Sequence, residues 1–252
     1  MKKTTIFLLG LLIVSTVSFS FVTRPAALEN PEIKKGIVIE VKNTPANHDH
    51  TAAATTISSS LDNELDLSNK GLTVNALEVA VKGYLHLKEQ GVLKNNDLLS
   101  VIDFSQSSRK KRFYLIDMKN NKLLVNTFVS HGKNSGLDMA TDFSNTEGSE
   151  QSSLGFYVTK GTYSGKNGFS LRMAGLDKGF NDNAESRAIV VHGADYVNSN
   201  RINSGYMGRS QGCPALPRAD YIKVINLIKD GSAFFIYSPN ENYLSSSPIL
   251  NS

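Results

Sequence analysis

The sequence predicts a mainly β fold with some helices, in the α+β class, in which a small helical unit precedes the sheet. Short apolar runs separated by turn-forming residues recur between residues 98 and 237, as expected for strands joined by hairpins. Only two stretches, residues 73–90 and 217–231, carry apolar residues at the 3.6-residue period of a helix. Many short strands with few helices are typical of a mixed, mostly β domain.

The length and composition allow one good-sized core. The chain has 252 residues, of which 40% are hydrophobic and 20% charged, and one main domain is predicted at residues 109–240. The formal net charge of +4 includes Lys2 and Lys3, so the remaining excess is small. This charge gives no indication of nucleic-acid binding and does not exclude a polyanionic partner. The sequence also has no Walker-type phosphate-binding motif.

Residues 1–20 have the pattern of an export signal. Two lysines precede the apolar run 6–14, and the small residues Ser18 and Ser20 provide a cleavage site. The apolar character resumes at Phe21, so an uncleaved membrane anchor of nearly spanning length is the alternative. Both alternatives predict export, to the periplasm, the cell envelope or the medium.

Residues 21–60 are predicted to form a flexible linker. They contain three prolines and a run rich in alanine, threonine and serine, without an apolar period. The triplet His48-Asp49-His50 lies in this segment. We predict no metal site there, because a disordered loop without a partner cluster makes a poor cage. No cofactor is predicted elsewhere in the chain.

A helical N-terminal unit is predicted at residues 61–108. Its one convincing helix covers residues 73–90, where Thr73 can cap the first turn and Gly91 can end the last. The unit is expected to pack beside the main domain.

A β-hairpin follows this unit. Its strands are predicted at 113–117 and 122–129, on either side of a turn-forming sequence. The second strand leads to His131, and the polar segment from there to Ser153 is too long for a simple turn, which favours a functional loop beside a cleft. His131 either contacts substrate or only caps the strand.

Aromatic and basic residues mark the next part of the sheet. A strand at 156–158 is followed by a predicted glycine-rich loop at 161–168, which holds Tyr163. Arg172 lies on the next predicted strand, 169–173.

The C-terminal part is predicted to contain a helix, a strand and a tail. Pro217 suits the first position of the helix, and residues 232–237 form a strongly apolar strand. The tail, residues 241–252, is expected to be ordered only in part. The helix is expected to continue its apolar face through Ile222, Ile225 and Ile228.

The stretch 188–217 carries the strongest chemical signal. A predicted strand at 188–191 delivers His192 to its end, and a Ser-x-Gly-Cys turn later presents Cys213, the chain's only cysteine. A thiol becomes a good nucleophile as a thiolate, and an imidazole can remove its proton near neutral pH. Gly212 can adopt a positive φ, and the N–H groups of this turn could form an oxyanion hole.

The predicted chemistry is a two-step acyl transfer. Cys213 attacks an amide carbonyl, His192 passes the thiol proton to the leaving amine, and a second amine resolves the thioester. Ser210 or a carbonyl of the 209–212 turn is expected to orient the imidazole, ahead of Asp195. The alternative for Cys213 is a buried small apolar residue, which the surrounding turn makes less favourable.

These residues resemble the murein L,D-transpeptidase catalytic domain family, within the YkuD-like L,D-transpeptidase superfamily. One departure is that Pro214 and Ala215 follow the cysteine, where the better-known branch has an apolar residue and then arginine. The matching segments are Val101-Ile-Asp-Phe-Ser, His131-Gly, Phe143-Ser-Asn, Ser152-Ser-Leu-Gly-Phe-Tyr, Asn181-Asp-Asn-Ala, Val191-His-Gly-Ala-Asp-Tyr and Gly208-Arg-Ser-Gln-Gly-Cys-Pro-Ala-Leu-Pro.

The resemblance implies a β-sandwich or barrel-like catalytic domain that acts on peptidoglycan stem peptides. The donor would be a tetrapeptide stem that loses its terminal D-alanine, and carbapenems would acylate the cysteine. An acceptor amine gives a 3-3 cross-link, whereas water gives L,D-carboxypeptidase activity. Because the stem carries carboxylates, Arg172 and Arg209 are candidates for a clamp. His131, Tyr163 and Gly193 complete the candidate substrate-binding residues, and Cys213, His192, Ser210 and Gly212 are the candidate catalytic residues.

Three other functions compete with this interpretation. A sortase-like enzyme also has histidine before cysteine, but its pattern differs from Ser-x-Gly-Cys. Papain-like hydrolases usually have cysteine before histidine. The third alternative is a non-catalytic wall-binding homologue, against which the presence of both His192 and Cys213 argues.

Overall fold

An eight-stranded sheet forms the centre of the structure, a computed structural model that describes residues 50–251. The order of the strands in the sheet is β3-β2-β1-β8-β4-β5-β6-β7. The strands are β1 (Leu98–Asp103), β2 (Phe113–Asp117), β3 (Lys122–Thr127), β4 (Gly155–Gly165), β5 (Gly168–Gly175), β6 (Val190–Ala194), β7 (Ala215–Pro217) and β8 (Ala233–Tyr237). Four α-helices and one 3-10 turn accompany them: α1 (Thr51–Leu65), α2 (Val74–Glu89), the turn Ser199–Arg201, α3 (Tyr221–Ile228) and α4 (Glu241–Ser246).

The sheet curls until its two edges nearly meet. After β3 the chain runs back along β7, where the N–H of Ser130 donates to the carbonyl of Ala215 over 2.9 Å. One step further, the N–H of Ser210 donates to the carbonyl of His131, also over 2.9 Å, and Gly132 forms a bridge with Ser210. This nearly closed, barrel-like sheet with helices confirms the predicted fold class.

Helix α2 confirms the predicted helix and its N-terminal cap. The side chain of Thr73 accepts the N–H of Ala76, and Gly91 follows the helix with a φ of 66°. On the buried face, Gly83 lies so close to the ring of Phe156 on β4 that no Cβ fits between them. The helix therefore packs directly on the sheet.

Helix α1 corrects the predicted linker. The linker was expected to reach Ser60, but Thr51–Leu65 is helical. The buried face consists of Ala54, Ser58 and Leu61, which have the spacing of a helix but only one large apolar side chain. The part of the linker before His50, and the predicted signal or anchor at 1–20, lie outside the described residues. Within residues 50–251, no helix is long and apolar enough to cross a bilayer.

Strand β1 corrects the boundary predicted at residue 108. It lies inside the sheet, antiparallel to β2 and parallel to β8, and all six of its residues are buried. A strand in this position belongs to the main core. Residues 50–251 accordingly belong to one compact unit, without a separate helical unit at 61–108.

The two predicted hairpin regions have different outcomes. Strands β2 and β3 confirm the first hairpin, and Asn121 in its turn has a φ of 47°. The predicted loop at 161–168 is wrong, because β4 continues to Gly165 and pairs with β5 through a turn at Lys166 and Asn167. Tyr163 therefore stands on a strand.

The C-terminal part is ordered beyond the prediction. Pro217 ends β7, and α3 begins only at Tyr221; its Ile225 and Ile228 are buried, but Ile222 is half exposed. Strand β8 confirms the last predicted strand, and all its residues are buried.

The predicted partly ordered tail is instead fixed by α4. The hydroxyl of Tyr243 donates to the buried carboxylate of Asp177 over 3.1 Å, and Ser247 also bonds this carboxylate. The ring of Tyr243 packs edge-on against Phe180, with 5.2 Å between the ring centroids. The residues up to Asn251 therefore belong to the folded domain.

Candidate active site

His192 stands in the middle of a strand and not at its end. The sequence predicted a strand at 188–191, whereas β6 begins at Val190 and includes His192. Its neighbours across the sheet are Ser170 on β5 and Ala215 on β7. Pairing on both sides fixes the backbone of the histidine more firmly than a loop would.

The imidazole of His192 is held in one tautomer. The ring is 5% exposed, and its Nδ1 lies 3.2 Å from the carbonyl oxygen of Gly193. Because a carbonyl can only accept, Nδ1 carries the hydrogen and Nε2 has the free lone pair. Burial lowers the pKa of this imidazole below its ordinary value, and the positive charge of Arg218 acts in the same direction. The ring is therefore neutral at neutral pH and can act as a base.

The turn before Cys213 is built from its own hydrogen bonds. Gly212 has a φ of 118°, and a Cβ at this position would lie 2.7 Å from the carbonyl oxygen of Gln151. The hydroxyl of Ser210 donates to the carbonyl of Cys213 over 2.6 Å and accepts the N–H of Gly212 over 3.1 Å. The hydroxyl of Ser210 therefore shapes the turn and makes no hydrogen bond with His192 in the described structure, contrary to the prediction.

The thiol of Cys213 lies in a backbone cradle formed by Ala188 and Val190. The N–H of Val190 donates to Sγ over 3.4 Å, and Sγ–H donates to the carbonyl of Ala188 over 3.7 Å. Ala188 has a φ of 53°, a conformation that is uncommon for a residue with a side chain and that turns its carbonyl toward the sulfur. Cys213 as a whole is only partly buried.

Burial and two neighbouring groups shift the pKa of this thiol in opposite directions. Burial raises the pKa of Cys213 above its ordinary value, while the N–H of Val190 and the charge of Arg187 act to lower it. The imidazole of His192 makes no hydrogen bond with the thiol in the described structure. The predicted contact between the two groups is thus not formed, although His192 follows Val190 by only two residues on β6.

An open cavity of about 250 Å³ adjoins the cradle, and it contains two of the predicted substrate-binding residues. The exposed guanidinium of Arg172 stacks on the ring of Tyr163, 4.2 Å from its centroid. Within residues 50–251, Arg172 has no carboxylate partner at ion-pair distance. The cavity is lined by Tyr163, Arg172, Met173, Glu185, Ala188, Ile189 and Val190.

His131 is buried and bonded within the fold. It is fully buried, its Nδ1 accepts from Arg112 over 2.7 Å, and its Nε2 donates to the carbonyl of Gly136 over 3.3 Å. Burial, together with the charge of Arg112, lowers the pKa of this imidazole to about 4. Both ring nitrogens are engaged by the protein itself, which favours the structural alternative of the prediction.

Three other predicted residues also have local structural roles. Gly193 is buried, and a Cβ there would lie 2.6 Å from the ring of Tyr221. Arg209 donates to the carbonyls of Lys133 and Gly136, so its guanidinium is partly committed to the 132–153 loop. Asp195 is exposed and pairs with Arg218, not with His192.

Arg187 is a site residue that was not predicted from the sequence. Its guanidinium donates to four oxygen atoms of the 144–153 segment. It immediately precedes Ala188, one residue before the stretch that the sequence analysis selected. The sequence showed only a positively charged residue next to that stretch. The hydrogen bonds between this residue and the loop form in the folded chain and could not be inferred from the sequence. In residues 50–251 no group of three histidine, cysteine or acidic side chains is arranged to hold a metal ion.

Comparisons with known proteins agree with the resemblance seen in the sequence. The family described as L,D-transpeptidase catalytic domain matches residues 68–237, about two thirds of the chain. No curated protein sequence matches the chain.

Several solved structures are similar to the chain at low identity. An L,D-transpeptidase from Mycobacterium smegmatis is 13% identical, with 56% of this chain and 59% of that one covered and a TM-score of 0.36. L,D-transpeptidase 3 from Mycobacterium tuberculosis, in complex with a faropenem-derived adduct, is 16% identical, with 56% and 60% covered and a TM-score of 0.35. An L,D-transpeptidase from Stackebrandtia nassauensis is 10% identical, with 75% and 92% covered and a TM-score of 0.35.

The matched regions differ in extent. The chain spans about three fifths of the length of the two mycobacterial structures. The family match, in contrast, includes β1 to β8 and with them every residue of the site. On the strength of that match, the chain belongs to the L,D-transpeptidase catalytic domain family.

Proposed function

We propose that the protein is a peptidoglycan L,D-transpeptidase in which Cys213 is the acylated nucleophile. The observation that carries the proposal is the position of the thiol: it is partly exposed, next to the Arg172 cavity, with a neutral histidine on the adjoining strand. A cysteine that only fills space in the core is not expected to have such a cradle or an open cavity beside it. The family membership supplies the class of reaction.

The first step transfers an acyl group to sulfur. The thiol proton goes to Nε2 of His192, and the sulfur attacks the carbonyl that precedes the terminal D-alanine of a tetrapeptide stem. The C–N bond then breaks, the amine of D-alanine takes the proton from His192, and a thioester remains. Because the thiol donates to Ala188 in the resting structure, the side chain of Cys213 must rotate toward His192.

The second step releases the enzyme. An amine of a second stem attacks the thioester carbonyl, the C–S bond breaks, and the proton lost by the amine returns to sulfur through His192. Attack by water instead would make the protein an L,D-carboxypeptidase. The N–H of Cys213, which lies beside its own sulfur, is proposed to donate to the oxyanion in both steps.

Arg172 is proposed to hold a carboxylate of the donor stem. It is exposed beside the thiol cradle, unpaired with acidic groups in the described residues, and stacked on Tyr163. A guanidinium binds a carboxylate through two parallel hydrogen bonds. The peptidoglycan substrate lies outside the cytoplasmic membrane, so this function requires the export predicted from residues 1–20.

The nucleophile is tested by the variant Cys213→Ala. With purified tetrapeptide muropeptides, the wild type is expected to give cross-linked dimers and free D-alanine, and the variant neither, as measured by mass spectrometry. A carbapenem should add one inhibitor mass to the wild type and none to the variant, since Cys213 is the only cysteine. Release of D-alanine without dimers would identify a carboxypeptidase. Absence of both products and adduct in the wild type would favour a non-catalytic wall-binding protein.

The clamp is tested by Arg172→Met. Loss of a charged hydrogen-bond pair is expected to raise KM for the donor stem by roughly tenfold, with a smaller change in kcat. Arg109→Met is the matched control, because this arginine pairs with Asp138 away from the cavity. Equal KM values for the wild type and the Arg172 variant would remove Arg172 from the substrate site.

A further inference from the structure

Arg187 holds the loop that supports the catalytic turn. Its Nη1 donates to the carbonyl of Ser144 over 2.7 Å and to the hydroxyl of Ser153. Its Nη2 donates to the hydroxyl of Ser149 over 3.1 Å and to the carbonyl of Gln151 over 2.8 Å. Four hydrogen bonds from one planar group fix the guanidinium in a single position.

Two short connections lead from this guanidinium to the sulfur of Cys213. On one side, the carbonyl of Gln151 that it binds lies against Gly212, the residue before the cysteine. On the other side, Ala188 follows Arg187 directly and supplies the carbonyl that accepts the thiol hydrogen. The arginine and the thiol therefore belong to one closely packed cluster.

The charge of Arg187 is not neutralised by its neighbours. All four of its partners are uncharged oxygens, and no carboxylate of residues 50–251 lies within ion-pair distance. The side chain is half-buried, where solvent screens a charge less than at an open surface. A negative charge formed nearby would therefore be stabilised.

We propose that Arg187 is a positioning residue that holds its positive charge beside Cys213 and thereby stabilises the thiolate needed for attack. The N–H of Val190 contributes the direct hydrogen bond to the sulfur, and Arg187 contributes the longer-range field. This inference rests on the proposed role of Cys213 as nucleophile. It adds a group from outside the predicted catalytic set.

The other titratable groups around the cluster do not supply this charge. Tyr196 interacts electrostatically with Cys213, and Tyr157 with Arg187, but burial raises the pKa of both phenols, so both are neutral at neutral pH. His192 is also neutral, because burial lowers its pKa. Arg187 is thus the cation that acts on the thiol in the described part of the chain.

The test is the pH dependence of alkylation of Cys213 by iodoacetamide, which reacts with the thiolate. The chain has one cysteine, so the reaction reports on this thiol alone. Arg187→Met is expected to raise the thiol pKa and to lower the alkylation rate at pH 7 by roughly tenfold. Arg187→Lys, which keeps the charge but not the planar fork, should stay within about threefold of the wild type.

Arg109→Met is the matched control, since Arg109 also fixes a loop, through Asp138, but is not among the groups that act on the thiol. Its alkylation profile should equal that of the wild type. An unchanged profile for Arg187→Met would overturn the inference. Equal losses for the Met and Lys variants would also overturn it, because the arginine would then act only by fixing the loop. Thermal unfolding of each variant shows that the comparison is made between folded proteins.

Alkylation needs no wall substrate, so the inference and the proposed function can fail separately. A lowered rate in Arg187→Met, together with absent acyl transfer in the wild type, would keep the role of the arginine and reject the transpeptidase. Normal acyl transfer in the wild type, together with an unchanged alkylation profile in Arg187→Met, would keep the transpeptidase and reject the role of the arginine.

Discussion

His131 and His192 each follow an apolar run in the sequence, yet their imidazoles have different surroundings. Both nitrogens of His131 are engaged, by Arg112 and by a loop carbonyl, and its ring packs edge-on against Phe104. His192 has one nitrogen fixed by Gly193 and the other free. The sequence could not separate the two, because Arg112 lies 19 residues from His131 and meets it only in the folded sheet.

The buried imidazole of His131 predicts a pH-dependent stability. Its pKa is about 4 in the folded protein and 6.5 in its ordinary state, so between these pH values the unfolded chain binds more protons. The free energy of unfolding therefore rises with pH in this window; the contribution is complete above pH 6.5 and lost as pH falls to 4. A difference of this size corresponds to about 3 kcal/mol.

The variant His131→Asn isolates this contribution. An amide can still accept from Arg112 but does not titrate between pH 4 and 6.5. Urea unfolding at several pH values should show that the wild-type advantage over the variant shrinks by about 3 kcal/mol from pH 6.5 to pH 4. His192 and Asp177 titrate in both proteins and cancel in the difference. A constant difference across the window would mean that His131 is protonated in the folded state.

Local backbone chemistry was the predictable part of the site. In the sequence Gln-Gly-Cys-Pro, Gly212 was expected to be able to adopt a positive φ, and it does so in the structure. The roles of Ser210 and Gly193 were not predictable, since each depends on a contact made in the folded chain. Ser210 bonds the carbonyl of Cys213, and Gly193 lies against the ring of Tyr221. Arg187 was missed for the same reason.

At the scale of elements, those with a strong apolar pattern or a clear capping or turn residue could be predicted from the sequence. Helix α2 has an apolar face and the capping residue Thr73, and β8 has an unbroken apolar run. The hairpin of β2 and β3 has a turn whose Asp117 carboxylate accepts the N–H groups of Lys119 and Asn120. In each case the deciding information lies within a few residues.

The missed elements depend on contacts that are remote in sequence. Helix α1 buries small residues against α2, so its apolar period is weak. Helix α4 is short, and its buried Tyr243 reaches a carboxylate 66 residues away. Such elements are stabilised by tertiary packing rather than by their own propensity, which is why composition suggested a linker and a loose tail.

At the scale of the whole molecule, the order of the strands was beyond sequence reasoning. Strand β8, near the end of the chain, lies between β1 and β4 and pairs in parallel with β1. This insertion joins the N-terminal and C-terminal parts into one core. It also brings α2 onto the same sheet that carries His192. A substitution that disturbs the packing under α2 should therefore destabilise the active site as well.

Gly83→Ala tests this cooperativity. Alanine is the better helix former by about 1 kcal/mol, but its Cβ would lie 2.1 Å from the ring of Phe156, which is fully buried and stacked on Phe235. Overpacking of a rigid core costs roughly 1–3 kcal/mol, so the overlap outweighs the propensity and the variant should unfold at lower urea. The loss should be seen equally in the helical circular dichroism signal and in the near-ultraviolet signal of the core, which includes the buried sheet residues Tyr114 and Tyr157, because one unit unfolds as a whole.

Phe156→Leu supplies the second arm of a double-mutant cycle. This change alone leaves a cavity under α2, but in the Gly83→Ala background it makes room for the new methyl group, so the two losses should be less than additive by about 1 kcal/mol or more. Strict additivity would show that the helix shifts freely on the sheet. Loss of the helical signal before the near-ultraviolet signal would show that α2 unfolds independently of the sheet, as expected for the separate helical unit that the sequence predicted.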